Sequence, residues 1–253
     1  MRFAVLSIYL FLSSCAAIPL DYSRIPQEQL PKEVQIRLET LEQEAFPVDR
    51  SPDFEKILTA QTELVKMGER IIPLIRETAL NADNNLKLLL ITILGEIGTD
   101  DAIQLLREIY AGRAATVIRD AAAIALGMNG DEWVIERLIE IADRERHAVR
   151  RAFAVHALSN FKGNDKVSIF LLHLLDDNTP IVVSQEVLSG FFPFRRVRWG
   201  LEEMELRDFA IASLGSINNM DFGYRHGDGE KAKSRAIDKW KEFLTEKERG
   251  EIQ

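Results

Sequence analysis

Apolar residues recur every three or four positions along most of the chain, which is the spacing of one face of an α-helix. Val34, Leu38, Leu41 and Ala45 mark one such face in a charged segment over 32–50, read as a capping helix. Further on, three stripes follow one another: Ile103, Leu105, Leu106 and Ile109; then Val134, Leu138, Ile139 and Ala142; then Val167, Phe170, Leu171 and Leu174. Between them lie segments rich in alanine. Ala121, Ala122, Ala125 and Leu126 return 32 residues later as Phe153, Ala154, Ala157 and Leu158. Small side chains let neighbouring helices approach closely, so the alternation predicts pairs of helices, one alanine-rich and one amphipathic.

The helix ends repeat as well. Leu64, Leu94, Leu126, Leu158, Leu188 and Leu214 each lead into a turn, and they stand 30, 32, 32, 30 and 26 residues apart. A period near 31 matches two helices of about three turns each with two short connections. Gly68, Gly98, Gly130 and Gly163 close these segments where a helix terminus takes the left-handed conformation. Thr99, Asp100, Asp101, Asp131 and Asp165 follow where the next helix takes a side-chain cap and a negative charge.

The run Ile93-Leu94-Gly95-Glu96-Ile97-Gly98-Thr99-Asp100-Asp101-Ala102 resembles the turn of HEAT repeats, notably the short PBS-lyase-like class. The resemblance extends over about residues 53–246 and implies an all-α fold, an α-solenoid of about five to six HEAT-like helix pairs over 51–250. It also implies a ladder between repeats. A basic residue stands seven positions before a leading leucine at Lys87, Arg119, Arg151 and Arg207, and such residues in HEAT families commonly pair with turn aspartates. Asp101, Asp131 and Asp165 are the expected partners, in a structural role. Toward the C-terminus Phe222, Tyr224 and Trp240 resemble the closing repeat of bacterial HEAT proteins and are read as core.

The N-terminus has a different character. Arg2 precedes an apolar run from Phe3 to Leu12, too short for the ~20 residues of a membrane span but suited to a secretory signal. It ends in Leu12-Ser13-Ser14-Cys15, which resembles the bacterial lipobox. The resemblance implies cleavage between Ser14 and Cys15 and lipidation of Cys15, so that 1–14 is a lipoprotein signal peptide. Several acyl chains at about 0.8 kcal/mol per buried CH₂ hold a protein on a bilayer where one chain does not. Ordinary signal cleavage near Ala16-Ala17, and a mis-assigned start, are the competing readings. Residues 15–31 carry Pro19, Pro26 and Pro31 and read as a flexible tether, or as an N-terminus without a spacing role. Ala16 rather than an aspartate after the cysteine leans the expected location toward the outer membrane, facing the periplasm.

Charge and composition narrow the function. Lys and Arg total 32 against 40 Asp and Glu, a net charge of -8, which is wrong for wrapping nucleic acid. With Cys15 alone there is no internal disulfide, CxxC pair or cysteine zinc site. Among HEAT-like enzymes, a di-iron hydroxylase needs His-Glu pairs on several helices, and none of the 4 histidines is followed by glutamate. Bilin-lyase and DNA-glycosylase chemistry finds no support beyond the repeats themselves. His156 reads as a packed histidine, and His226 with Asp221, Asp228 and Glu230 as a solvated loop rather than a cation site. No cofactor or metal is expected.

One segment stands out in this acidic chain: Phe191-Phe192-Pro193-Phe194-Arg195-Arg196-Val197-Arg198-Trp199. Arg195, Arg196, Arg198 and Trp199 form a candidate partner-binding set, since arginine and tryptophan dominate binding hot spots. The alternative is a structural insert in which the aromatics plug an irregular repeat and the arginines pair with Glu202, Glu203 and Glu205. Together these features predict a non-enzymatic, membrane-anchored scaffold for an envelope protein partner, with exposed Glu136, Arg137 and Glu140 as further contacts. The competing expectation is an enzyme or small-ligand carrier with a pocket at the irregular fifth repeat.

Overall fold

A computed structural model describes residues 21–45, 52–181, 204–225 and 228–249. The described chain is built from helices in antiparallel pairs. Helix α1 (Leu30–Ala45) precedes the pairs α2/α3 (Phe54–Met67, Ile72–Asn81), α4/α5 (Asn84–Ile97, Asp100–Ala111), α6/α7 (Thr116–Met128, Ile135–Arg144) and α8/α9 (Ala148–Leu158, Asp165–His173). The pair α10/α11 (Leu206–Asn218, Glu230–Glu248) completes it. The first helices pack in a row, α2 on α4, α4 on α6, α6 on α8 and α8 on α10, and the second helices form the other layer. The fold is an all-α solenoid of HEAT-like pairs.

The row of first helices is where the small residues act. In α6 every residue from Asp120 to Gly127 is buried, which the alanines permit by allowing α4 and α8 to close in from both sides. A Cβ on Gly127 would stand 2.5 Å from Leu138 Cδ1 and 3.2 Å from Ala157 Cβ. That glycine is therefore the contact point of three helices. The second helices instead bury one stripe each, as an amphipathic helix does: Ala102, Leu105, Leu106 and Ile109 on α5, and Ile135, Leu138, Ile141 and Ala142 on α7. The expected members Ile103, Ile139 and Phe170 lie at the half-buried margins of these stripes.

The turn chemistry read from the glycines holds. Gly68, Gly98, Gly130 and Gly163 all have positive φ, between 61° and 74°. Asn219 takes the same role after α10, with φ 51°. The caps follow less closely. Asp131 accepts from the Trp133 N–H at 3.2 Å, but α9 is capped by Asn164, whose Oδ1 accepts from Val167 N at 3.1 Å. Asp165 falls one residue inside the helix, and Thr99 occupies the cap of α5 without a side-chain hydrogen bond.

Three expectations need correction. The end of the proposed tether is part of the fold: α1 starts at Leu30, Tyr22 donates to Glu63 on α2, and Arg70 Nη2 donates to Ile25 O at 2.5 Å. Pro31 sits in the first turn, where its missing N–H costs nothing. The series of leading leucines does not by itself give the stacking order. Helix α10 stacks directly on α8, with Ser213 Oγ donating to Val155 O at 3.0 Å, Ser216 Oγ to Ser159 O at 3.2 Å, and Gly163 N to Ile217 O at 3.3 Å. Leu214 is thus the neighbour of Leu158's helix, and Leu188 lies outside the described residues. Pro180–Ile181 pairs antiparallel with Met204–Glu205.

The third correction concerns the ladder. Arg151 turns to Ala142 O (2.7 Å) and Asp177 (2.6 Å), and Arg207 to Glu205 (2.5 Å) and Glu230 (3.0 Å). Lys87, Arg119 and Asp101 form no ion pair with another described residue. Asp131 and Asp165 take Arg107 and Lys247 instead, at 2.7 and 2.8 Å. A ladder does exist, on the other layer. Arg76 of α3 meets Glu108 of α5, Arg107 of α5 meets Asp131 before α7, Lys166 of α9 meets Glu136 of α7, and Lys247 of α11 meets Asp165 of α9. At Arg151 the reason is geometric: early in α8, it lies beside the C-terminus of the preceding second helix, α7, and satisfies the free Ala142 carbonyl there. It does not reach the turn at the far end of the repeat.

Candidate interaction surface

The outer face of the second helices is the surface on which side chains stand free of the core. Its central feature is Trp133, in the single 3₁₀ turn Glu132–Val134 that leads into α7. This indole is 56% exposed, the highest value among the large apolar side chains described, with Ile36 and Ile169 at 43% and 37%. Its neighbour Val134 is fully buried and starts the core stripe of α7. The tight turn forces the two side chains apart, so anchoring Val134 turns Trp133 outward.

The start of α7 sits beside the third turn of α5 and not beside its N-terminus. Two contacts show this: Asp131 Oδ2 accepts from Arg107 Nε at 2.7 Å, and the Trp133 ring meets the Tyr110 ring edge-on, centroids 5.4 Å apart at 81°. Asp131 is nearly buried while Arg107 remains 44% exposed. The hydrogen bond that Arg107 donates to Asp131, reinforced by the charge of Asp100, raises Arg107 above the ordinary guanidinium range and keeps it a fixed cation. Arg107, Tyr110 and Trp133 join α5 to the start of α7.

The side chains expected to face a partner on α7 are already engaged. Arg137 reaches back to buried Asp120 on α6, at 2.8 and 2.5 Å, and forward to Glu140 at 2.5 Å; Glu136 holds Lys166. Burial pushes the Asp120 carboxyl up even with Arg137 against it. These pairs stiffen the face and leave Trp133 as its unsatisfied feature. Sequence reasoning passed over Trp133, although a tryptophan between Asp131-Glu132 and the core stripe is a signal, because polar residues are expected there.

Other candidate residues are placed as follows. Cys15, Ser14, Arg195, Arg196, Arg198, Trp199 and His226 lie outside the described residues, as does the irregular repeat expected to hold a pocket. His156 is a half-buried residue of α8, and burial lowers its pKa. Asp221 and Asp228 accept from the backbone N–H groups of Gly223 (2.6 Å) and Arg225 (2.8 Å), which makes them turn-forming residues. Glu230 joins a different cluster. Lys233, 8% exposed, contacts Glu205 at 2.8 Å, Asp208 at 3.1 Å and Glu230 at 3.1 Å, and the Tyr224 hydroxyl donates to Asp208 at 2.6 Å. Phe222, Trp240 and Phe243 pack edge-on beside it, with centroids 4.6 to 6.0 Å apart, and so close the C-terminal core. Between α1 and α2 an open groove of about 520 Å³ is lined by Arg37, Asp53, Lys56 and Glu63 among others. Among the described residues no group of three or more His, Cys, Asp or Glu is arranged to hold a metal ion, and no helix is long and apolar enough to cross a membrane.

Paired helices in two layers, stitched layer to layer and carrying an exposed aromatic on a charge-laced face, define an α-solenoid of the interaction type. The family model for HEAT repeats matches residues 112–190, which takes in α6 to α9 and the Trp133 turn, so this stretch carries HEAT repeats. HEAT repeats commonly mediate protein–protein interaction, and the coarse assignment as a protein-interaction scaffold follows. No curated protein matches the chain.

Proposed function

We propose that this protein is a non-enzymatic scaffold, anchored through a lipidated Cys15 in the bacterial envelope, that holds another protein against its second-helix face. The observation that carries the binding assignment is Trp133, more than half exposed on a face where Arg137, Glu136 and Lys166 are tied into ion pairs. A solvent-exposed tryptophan on a rigid support is the residue type that dominates interface energetics, because it buries a large area with little loss of side-chain freedom. Support for the anchor comes from the Leu12-Ser13-Ser14-Cys15 run after its short apolar segment. Ala16 after the cysteine favours the outer membrane, with the solenoid in the periplasm.

Photo-crosslinking in native envelopes tests the binding face. A crosslinking residue at position 104, 140 or 169 should capture one defined protein, and the same residue at position 119 on the first-helix side should not. Absence of a defined product from all three second-helix positions removes the assignment. The anchor is tested apart from it: Cys15→Ala should move the protein from the membrane to the soluble fraction, and a variant that stays membrane-bound contradicts lipidation at this residue.

A further inference from the structure

We infer that the partner segment seated on Trp133 presents a basic side chain, arginine or lysine, to the indole face; this rests on the proposal that the second-helix face binds protein. The surroundings of Trp133 favour a cation over an apolar plug. An apolar anchor needs a groove lined with apolar side chains, and here the aromatic pair stands among charges. Tyr110 takes an edge-on position against the ring, and Glu132 adjoins it in the turn. Arg107 and Asp131 neutralise each other, as do Lys166 and Glu136. Asp100 and Glu132 are exposed and form no ion pair with another described residue. Asp100 lies close enough to act on Arg107, and Glu132 lies in the Trp133 turn itself.

Uncompensated negative charge therefore stands beside the ring at Glu132, with Asp100 further along α5. Arg107 and Lys166, the cations tied to this turn and to Glu136, are each held by a carboxylate. A guanidinium or ammonium over an aromatic face is attracted by the ring quadrupole, most strongly by tryptophan, and the surrounding carboxylates add to that field. The chain's net charge of -8 steers a basic segment toward the same surface. Arginine suits the site best, because its flat, weakly hydrated guanidinium stacks on a ring while still donating to carboxylates such as Glu132.

The test uses the full chain in detergent and fluorescein-labelled probe peptides of about eight residues, long enough at ~3.3 Å per residue to cross two neighbouring second helices. One probe carries arginine at alternate positions, and matched probes carry lysine, glutamine or glutamate there. The arginine and lysine probes should bind by fluorescence anisotropy with affinity that falls as salt rises, arginine the tighter, while the glutamine and glutamate probes should not bind. Trp133→Leu should weaken the arginine probe about tenfold or more, Trp133→Phe less, and Glu132→Gln a few-fold. An unchanged far-ultraviolet circular dichroism spectrum and melting curve certify each variant as folded.

Equal binding of arginine and glutamine probes, undiminished binding to Trp133→Leu, or no binding of the arginine probe overturns the inference. The crosslinked partner separates this failure from that of the function. If position 140 captures a defined protein through a segment without arginine or lysine, the cation reading falls and the scaffold stands. If no second-helix position captures one, the scaffold reading falls.

Discussion

Replacing Gly98 by alanine would add a Cβ to a residue with φ 61°, at a point 2.6 Å from Asn129 Oδ1. Two costs follow, and the repeats allow them to be separated. The left-handed conformation costs an L-residue about 1–2 kcal/mol, and this applies equally at Gly130, where φ is 74° and an added Cβ meets nothing within 4 Å. At Gly98 the Asn129 side chain must also move. Its Nδ2 donates to Gly95 O at 3.0 Å and to Ala125 O at 2.9 Å, the first of these bonds joining consecutive repeats. An exposed hydrogen bond contributes roughly 0.5–1.5 kcal/mol, so Gly98→Ala should destabilise by about 1 kcal/mol more than Gly130→Ala. The assay is urea unfolding followed by circular dichroism, with Asn129→Ala as a third variant. In the Asn129→Ala background the two glycine substitutions should cost the same, since the stitch is already gone. If Gly98→Ala and Gly130→Ala agree within about 0.3 kcal/mol in the parent chain, Asn129 does not fasten the repeats and the reasoning fails.

Three further outcomes follow from the same contacts. Lys233→Met leaves Glu205, Asp208 and Glu230 facing one another near a mostly buried site, and should cost about 3–5 kcal/mol in urea unfolding near neutral pH. Burial alone would raise Glu205, but Arg207 and Lys233 outweigh it and hold its carboxyl below the ordinary range of about 4.5. That stability is present above the unfolded value and disappears as pH falls through the folded one, so the gap between parent and Lys233→Met should narrow below about pH 4.5; a gap independent of pH contradicts the network. His156 is depressed by burial and favours the fold when neutral, so thermal stability should fall as pH drops below about 6.5, and His156→Gln should flatten that slope. Gly127→Ala gains helix propensity but drives a Cβ to 2.5 Å from Leu138 Cδ1, and should lower stability by about 1–2 kcal/mol, with Leu138→Val in the same chain recovering part of the loss.

The local features were legible because they depend on contacts within a few residues. A left-handed glycine after a helix, alternation of alanine-rich and amphipathic segments, and the Phe222–Trp240 closure each follow from neighbours along the chain or from one helix face. The family match over 112–190 and the pairing of α2 to α11 agree with that reading. The cap of α9 shows the limit even here, since moving the helix start by one residue replaces Asp165 with Asn164.

What sequence alone determined is therefore the repeating helix pair, its approximate period and the residues that end each helix. Only the tertiary structure decided how consecutive pairs sit on one another. The offset that brings the start of α7 beside Arg107 and Tyr110 is the sum of many close contacts, Gly127 against Leu138 and Ala157 among them, and no single spacing along the chain encodes it. The same offset moved the ion-pair ladder onto the second helices, placed α10 directly on α8, and left Trp133 facing outward over its buried neighbour Val134.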